Sequence, residues 1–228
     1  MSRRYQSIRG SMANNIQTRK RGADPTLPRL LGDRLCLDFA NTIEGPISAR
    51  PEEFLWSYPD LVRWGHHTGI LSESVVERLM LRSAREPNEA AAVFDRALAL
   101  RGSITRIFRA VAAGAAPQAA DLEVVQAQYL LALAHAQLMP IDNHFDWDWE
   151  ASDQALDRPL WAVACSAVEV LTTDDLARVK ECPGAGDCGW LFYDTSKNGS
   201  RRWCSMEGCG SRLKMRRQYA KRKVAETG

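Results

Sequence analysis

No apolar run in the 228-residue sequence approaches the ~18 residues needed to cross a bilayer, so no membrane-spanning helix is expected. The opening segment MSRRYQSIRGSMANNIQTRK is basic but has no apolar core. It does not read as a secretory signal, and the expected location is cytoplasmic. P-loop, HExxH and GxSxG are all absent, which removes the usual marks of nucleoside triphosphate, zinc-protease and serine-hydrolase chemistry. No C-x-x-C occurs, so a dithiol redox pair is not indicated. There is no internal repeat and no low-complexity tract. With no catalytic set in view, the chain is not expected to be an enzyme.

What is present suits one good-sized domain with a small appendage, or two modest domains. Apolar residues make up 45% and charged residues 25%, enough apolar surface for a real core at ordinary charge. The net charge of +2 conceals a strong asymmetry. Residues 1–34 hold eight Lys/Arg against two Asp/Glu, giving +6; residues 35–175 hold ten against 21, giving −11; residues 176–228 hold twelve against five, giving +7. The acidic middle is a poor match for a phosphate backbone and the two ends are good ones.

Residues 1–29 are polar and basic and read as a mobile arm. Residues 30–177 read as a mainly helical domain. DRLCLDFANTIE predicts a short helix ended by Gly45 and Pro46, with Pro51 to Trp56 a loop. YPDLVRWGHHTGIL predicts a second helix stopped near Gly69, and Ser72 is placed to cap a third. From Asn88 to Ala113, Val93, Ala97, Leu100, Ile104, Ile107 and Val111 form a long amphipathic stripe. A further helix follows from about Gln118 to Leu130. In IDNHFDWDWE apolar and polar residues alternate strictly, which predicts a half-buried strand, with Leu133 to Met139 as its hairpin partner and a turn at Pro140 and Asp142. Leu160, Val163, Ala167 and Val170 mark the inner face of another helix, and Thr173 is placed to cap a last short turn. Trp56, Trp64, Trp147, Trp149 and Trp161 are assigned to the core or to pocket lining. Asp38 and Asn41, one helical turn apart among apolar neighbours, are assigned to capping or internal hydrogen bonds. His66 and His67 point about 100° apart on a helix and are not placed to share a metal.

Residues 178–224 carry the chemistry. Of six cysteines, Cys36 and Cys165 stand alone in apolar segments and read as small buried hydrophobes. Cys182, Cys188, Cys204 and Cys209 form C-x5-C-x15-C-x4-C. Two cysteine pairs on glycine-rich knuckles, separated by a hairpin-length insert, suit a tetrahedral Zn2+ held by four thiolates, with no open position for catalysis. Disulfides are the alternative, disfavoured in a cytosolic chain. Four thiolates also hold iron–sulfur clusters, but the knuckle layout favours zinc. Trp190 to Tyr193 and Arg201 to Cys204 are expected as the two strands of the insert, turned at Lys197-Asn198-Gly199-Ser200. A helix follows. On it Arg212, Arg216, Tyr219 and Lys223 share one ridge, Lys214 and Lys221 another face, and Leu213, Ala220 and Val224 a narrow apolar strip expected to pack on the hairpin. Between Lys197 and Lys223 there are ten Lys/Arg and one acid, Glu207. Arg201, Arg202, Arg212, Lys214, Arg216, Arg217, Tyr219, Lys221 and Lys223 are therefore the expected contacts to duplex DNA.

CGWLFYDTSKNGSRRWCSMEGCG and the following RLKMRRQYAKRK resemble the CGNR-type zinc finger of a bacterial family of stress-induced transcription regulators. RLCLDFANT, YPDLVRWGHHTGIL and ALALRGSITRIFRAVAAG resemble, in the right order, the ABATE domain that precedes the finger in that family. The resemblance covers nearly the whole chain from about Leu30. It implies zinc ligation by the same four cysteines and a regulator that binds DNA. Where the family has Cys-Gly-Asn-Arg, this chain has Cys209, Gly210, Ser211 and Arg212, and serine retains a short side-chain hydrogen bond to nearby backbone. The helical domain is then expected to sense a small-molecule effector or to mediate association, including a homodimer. The alternatives from other classes are an interaction module whose finger docks an acidic protein, and an enzyme built on a pocket in the helical domain.

Overall fold

The computed structural model describes residues 27–44, 52–141, 144–149, 154–184, 186 and 188–226. The expected arm up to residue 26 lies outside them, as do Gly45, Pro46, Pro51, Asp142, Asn143 and Glu150. In chain order the elements are α1 (Leu35–Ala40), β1 (Ile43–Glu44), β2 (Glu52–Glu53), α2 (Tyr58–Thr68), α3 (Glu73–Arg85), α4 (Pro87–Ala112), α5 (Ala119–His135), β3 (Gln137–Ile141), β4 (His144–Asp148), α6 (Arg158–Thr173), β5 (Val179–Glu181), β6 (Leu191–Tyr193) and α7 (Ser211–Glu226). A 3-10 turn, Leu176–Arg178, precedes β5, and a π-helical turn, Met206–Gly210, leads into α7. The architecture is mainly α, with β1–β2, β3–β4 and β5–β6 as two-stranded antiparallel ladders.

α1 is only one and a half turns long, and all six of its residues are buried. So short a helix is not stable alone; it persists because α4 and α6 pack around it. The stripe read along α4 is the observed core face: Val93, Ala97, Leu100, Ile104 and Ile107 are buried and Val111 partly so. Phe108 adds to that face. On α6, Leu160, Val163, Ala167 and Val170 are buried as expected. Phe39 of α1 meets Trp64 of α2 with ring centroids 5.0 Å apart, a tilted contact worth about 0.5–1.5 kcal/mol beyond area burial. Local chemistry fixes the helix ends. The Val75 N–H donates to Ser72 Oγ at the start of α3, and α2 stops at Gly69, whose φ of 84° is left-handed.

Several expectations are corrected. Trp56 is 75% exposed rather than core; it lies in the loop before α2, where its backbone N–H donates to Asp60. The β3–β4 hairpin forms, but Pro140 sits within β3 opposite Phe145 instead of in the turn. The turn after α6 is capped by Asp175, which accepts from the Ala177 N–H, whereas Thr173 donates back to the Glu169 carbonyl and ends α6.

The β5–β6 ladder positions the cysteine site. Expectation paired residues 190–193 with 201–204; the observed partner of β6 is β5, with Lys180 opposite Phe192, and Arg201–Cys204 is irregular. The second edge of β6 is also filled, which leaves residues 201–204 no strand to join. The Asn41 amide donates to the Leu191 carbonyl (2.8 Å) and accepts from the Leu191 N–H (2.9 Å). The Tyr193 N–H donates to the Gly32 carbonyl (2.8 Å). Leu191 and Tyr193 in turn belong to the same buried cluster as α1, α4 and α6.

Candidate metal centre

The first knuckle is built by backbone hydrogen bonds at the end of β5. The Cys182 N–H donates to the Trp190 carbonyl (2.7 Å), and the Gly189 N–H donates to the Cys182 carbonyl (3.1 Å). The chain reverses between them through Gly186, whose φ of 97° a residue with a Cβ rarely adopts. The second knuckle is the π-helical turn. Ser205 accepts from the Gly208 N–H on its hydroxyl (3.2 Å) and from the Gly210 N–H on its carbonyl (3.1 Å). A Cβ on Gly210 would stand 3.1 Å from Met206 Sδ, so the glycine also allows close packing.

These two turns bring four sulfurs together. The Sγ atoms of Cys182, Cys188, Cys204 and Cys209 all lie within 4.8 Å of one another. Cys188 to Cys204 and Cys204 to Cys209 are each 3.7 Å. A tetrahedron with Zn–S bonds of about 2.3 Å has edges of about 3.8 Å, so the sulfur cage matches zinc in size, ligand type and number. Charge gives the same answer. Hydrogen bonds from the Cys188 and Cys204 thiols drive Cys182 down to about 2, and that thiolate in turn pushes Cys188 up to about 12 and Cys204 higher still. Thiolates this close repel one another, and a divalent ion offsets that repulsion. Four protein ligands close the coordination sphere, so the role is structural. All four ligands are buried, packed with Trp190 and Phe192, with Leu31 and Trp203 over them.

The chain belongs to the ABATE family. The family model, described as "Putative stress-induced transcription regulator", matches residues 33–174. A second model, the CGNR zinc finger, matches residues 178–222. Neither description is that of an enzyme. Comparison with curated proteins found no match. The CGNR finger here binds Zn2+, and the four cysteines named from the sequence stand within ligand distance of one another. No helix of the described residues is long and apolar enough to cross a membrane.

The basic residues divide into two groups. Arg201 lies under the finger. Its guanidinium donates to the carbonyls of Trp203 (3.0 Å), Leu31 (3.1 Å) and Cys204 (2.5 Å), pairs with Asp33, and stacks 4.5 Å over the Phe192 ring. Arg202 is exposed, 5.4 Å over the Trp203 ring. Arg212, Lys214, Arg216 and Tyr219 are exposed on α7. Arg212 also donates to Cys209 Sγ at 3.6 Å, which brings a positive charge to the thiolate cage. Arg217, Lys221 and Lys223 lie on the same helix, with side chains outside the described set, as are those of Ala220 and Val224. α7 packs on the π-helical turn, and Leu213, the one member of the expected apolar strip whose side chain is described, is half-buried. Ser211 donates from Oγ to the Met206 carbonyl (3.0 Å), the short backbone bond expected of it.

Three supporting residues, Asp194, Lys180 and Gly32, escaped sequence reading. Asp194 is fully buried and accepts from Lys180 Nζ (2.6 Å), the Ser196 N–H and hydroxyl, and the Arg201 N–H (2.9 Å). Lys180 also donates to the Gly199 and Arg201 carbonyls, and Arg178 to the Asp194 and Ser196 carbonyls, so two cations together hold the 194–201 loop. Asp194-Thr-Ser is an Asx-turn sequence, the one local signal available. Asp38 and Gly32 form the other pair, the Gly32 N–H donating to Asp38 Oδ1 at 2.7 Å. Asp38 and Asn41 are thus both internal hydrogen-bond groups. His66 Nδ1 stands 3.1 Å from the Leu71 carbonyl, a local contact.

Proposed function

We propose that this ABATE–CGNR chain is a DNA-binding transcription regulator whose finger contacts duplex phosphates through α7 and Arg202. In this reading residues 30–177 sense or associate, and residues 178–224 bind DNA. The observation that carries the reading is the setting of α7. It starts two residues after the last zinc ligand, packs chiefly on the turn before it, and presents Arg212, Lys214, Arg216 and Tyr219 to solvent with no acid before Glu226. A basic helix standing on a rigid knuckle suits a groove lined by phosphates, with Tyr219 able to stack or hydrogen-bond. Zinc fixes the knuckle and hence the direction of the helix. Arg201 supports this surface from beneath rather than forming part of it.

Titration of the zinc-loaded full chain against duplex DNA over a salt series tests the proposal. Each phosphate contact adds about −0.9 to the slope of log K on log salt, so the Arg212→Ala/Arg216→Ala double variant should flatten the slope by about two contacts. A wild-type chain with no affinity for duplex DNA at low salt refutes the proposal.

A further inference from the structure

We infer that the outer face of α5, with the adjoining β3–β4 hairpin, is where a second copy of this chain docks. Eleven large apolar side chains stand exposed among the described residues, and six of them lie here: Leu122, Leu130, Leu131, Leu133, Leu138 and Phe145. α5 has a polar-faced core helix's position but not its composition. Its inner side buries Val125, Gln128 and Ala132, while its outer side shows Gln126, Ala127, Leu130, Leu131, Leu133 and Ala134. A helix with apolar side chains on both its faces belongs between two packed surfaces, and α5 has one. The hairpin repeats the pattern. Its register puts Leu138 opposite Trp147 and Pro140 opposite Phe145, which places all four on one face. Leu138 is 56% exposed and Phe145 63%. A two-stranded ribbon with its apolar face in water is marginal alone and is completed by packing.

Charge selects the occupant. From Val124 to Ala134 the helix has no Asp, Glu, Lys, Arg or His, in a region, residues 35–175, that carries −11. A nucleic acid or a strongly charged protein finds nothing to pair with on such a face. Two copies of this acidic region repel each other over most of their surfaces and least here. In a two-fold contact, residues near the axis meet their own copies, so a formal charge there would meet its like; leucine, alanine and glutamine do not. Ala127, Leu130 and Ala134 recur at three- and four-residue steps, and the alanines allow close approach of two helices. α5 runs about 25 Å and the hairpin strands about 17 Å, the scale of a standard interface, which buries about 800 Å² per partner.

Light scattering on the zinc-loaded full chain across a concentration series tests this, and none of its readouts involves DNA. The wild type should rise from one to two chain masses. Leu130→Lys/Leu133→Lys should stay monomeric, its association weakened about a hundredfold or more, with zinc content and helical signal unchanged because both positions are exposed and lysine is a good helix former. Leu81→Lys, at an exposed leucine on α3, should dimerise like the wild type. An equal mixture of the Lys pair with Leu130→Glu/Leu133→Glu should regain the two-chain mass, since facing residues then carry opposite charges. A wild type that remains monomeric throughout overturns the inference, as does a Lys pair that dimerises as tightly as the wild type.

Discussion

The side-chain amide of Asn41 serves both backbone polar groups of Leu191, 150 residues further along the chain. It acts as a one-residue strand on the edge of β6. Both groups are buried, so Asn41→Ala leaves a donor and an acceptor without partners. Each orphan costs about 1–3 kcal/mol, and a loss of about 2–4 kcal/mol is expected in denaturant unfolding. Asn41→Asp should be no better, because it repels the Leu191 carbonyl while placing a charge in the core. An Asn41→Ala protein with wild-type stability would show that β6 does not depend on this edge.

Gly32 offers a purely steric test. A Cβ there would stand 2.7 Å from the Asp38 backbone nitrogen and 2.9 Å from the Leu37 carbonyl carbon. Neither backbone atom can yield, so Gly32→Ala must displace the segment that receives the Tyr193 N–H. Destabilisation of about 1–3 kcal/mol is expected, together with faster amide exchange at Tyr193.

Two buried carboxylates tie stability to pH in opposite senses. Burial raises Asp38 to about 7, only partly offset by the Gly32 N–H. The folded chain therefore binds a proton that the unfolded chain has lost above about pH 4, and this contribution declines as pH rises from about 4 to 7. Asp38→Asn keeps the oxygen that accepts from Gly32 and removes the decline, so its stability relative to wild type should grow across that window. Burial would also raise Asp194, but the Lys180 ammonium, the Ser196 donors and the Arg201 N–H outweigh it and hold the carboxyl well below the usual range. Its stabilisation is complete above about pH 4 and is lost as pH falls below that. Asp194→Asn should accordingly lag the wild type at neutral pH and approach it in acid. Parallel urea titrations from pH 3 to 8 measure both differences.

Arg201 and Arg202 are adjacent in sequence and should behave as different kinds of residue. Arg201→Ala removes donors to three carbonyls and should lower stability by about 2–4 kcal/mol. Arg201→Lys should not restore it, because an ammonium cannot span the same fan of acceptors. Arg202→Ala should leave the unfolding midpoint within about 0.5 kcal/mol of wild type. Its effect belongs in the salt dependence of DNA binding. Equal midpoints for Arg201→Ala and wild type would remove the internal role.

Elemental analysis should find about one zinc per chain, and Cys204→Ser should lose it. Because Leu191 and Tyr193 lie in the main core, chelation should also lower the melting temperature of the helical part instead of releasing only the finger. Two independent transitions, with the upper one insensitive to chelator, would contradict that coupling.

The helical stripes and the cysteine set were legible because they are periodic or chemically singular. Val93 to Ile107 recur along one helix face, and four thiols so spaced have few uses. The partner of β6 was not legible. Val179-Lys180-Glu181 has no alternation to mark it, and its pairing is decided by Lys180 reaching a carboxylate fourteen residues away. Asn41 and Gly32 act through side-chain and carbonyl contacts that no local pattern encodes. Arg201 was assigned to the surface because charge patterning treats every arginine alike; only its five-donor geometry among carbonyls distinguishes it. Trp56 fails for the converse reason, since aromatic size predicts burial only where neighbours exist to provide it.

The seat that Gly32 and Asn41 offer to β6 also sets an order of events during synthesis. When α6 has emerged from the ribosome, the places of Leu191 and Tyr193 beside Asn41 and Gly32 are still empty. Leu191 and Tyr193 lie 18 and 20 residues beyond Thr173 and follow α6 out of the exit tunnel by that much. Until then the nascent chain carries an open groove along α1, and its last consolidation waits for the segment that also brings in the metal ligands.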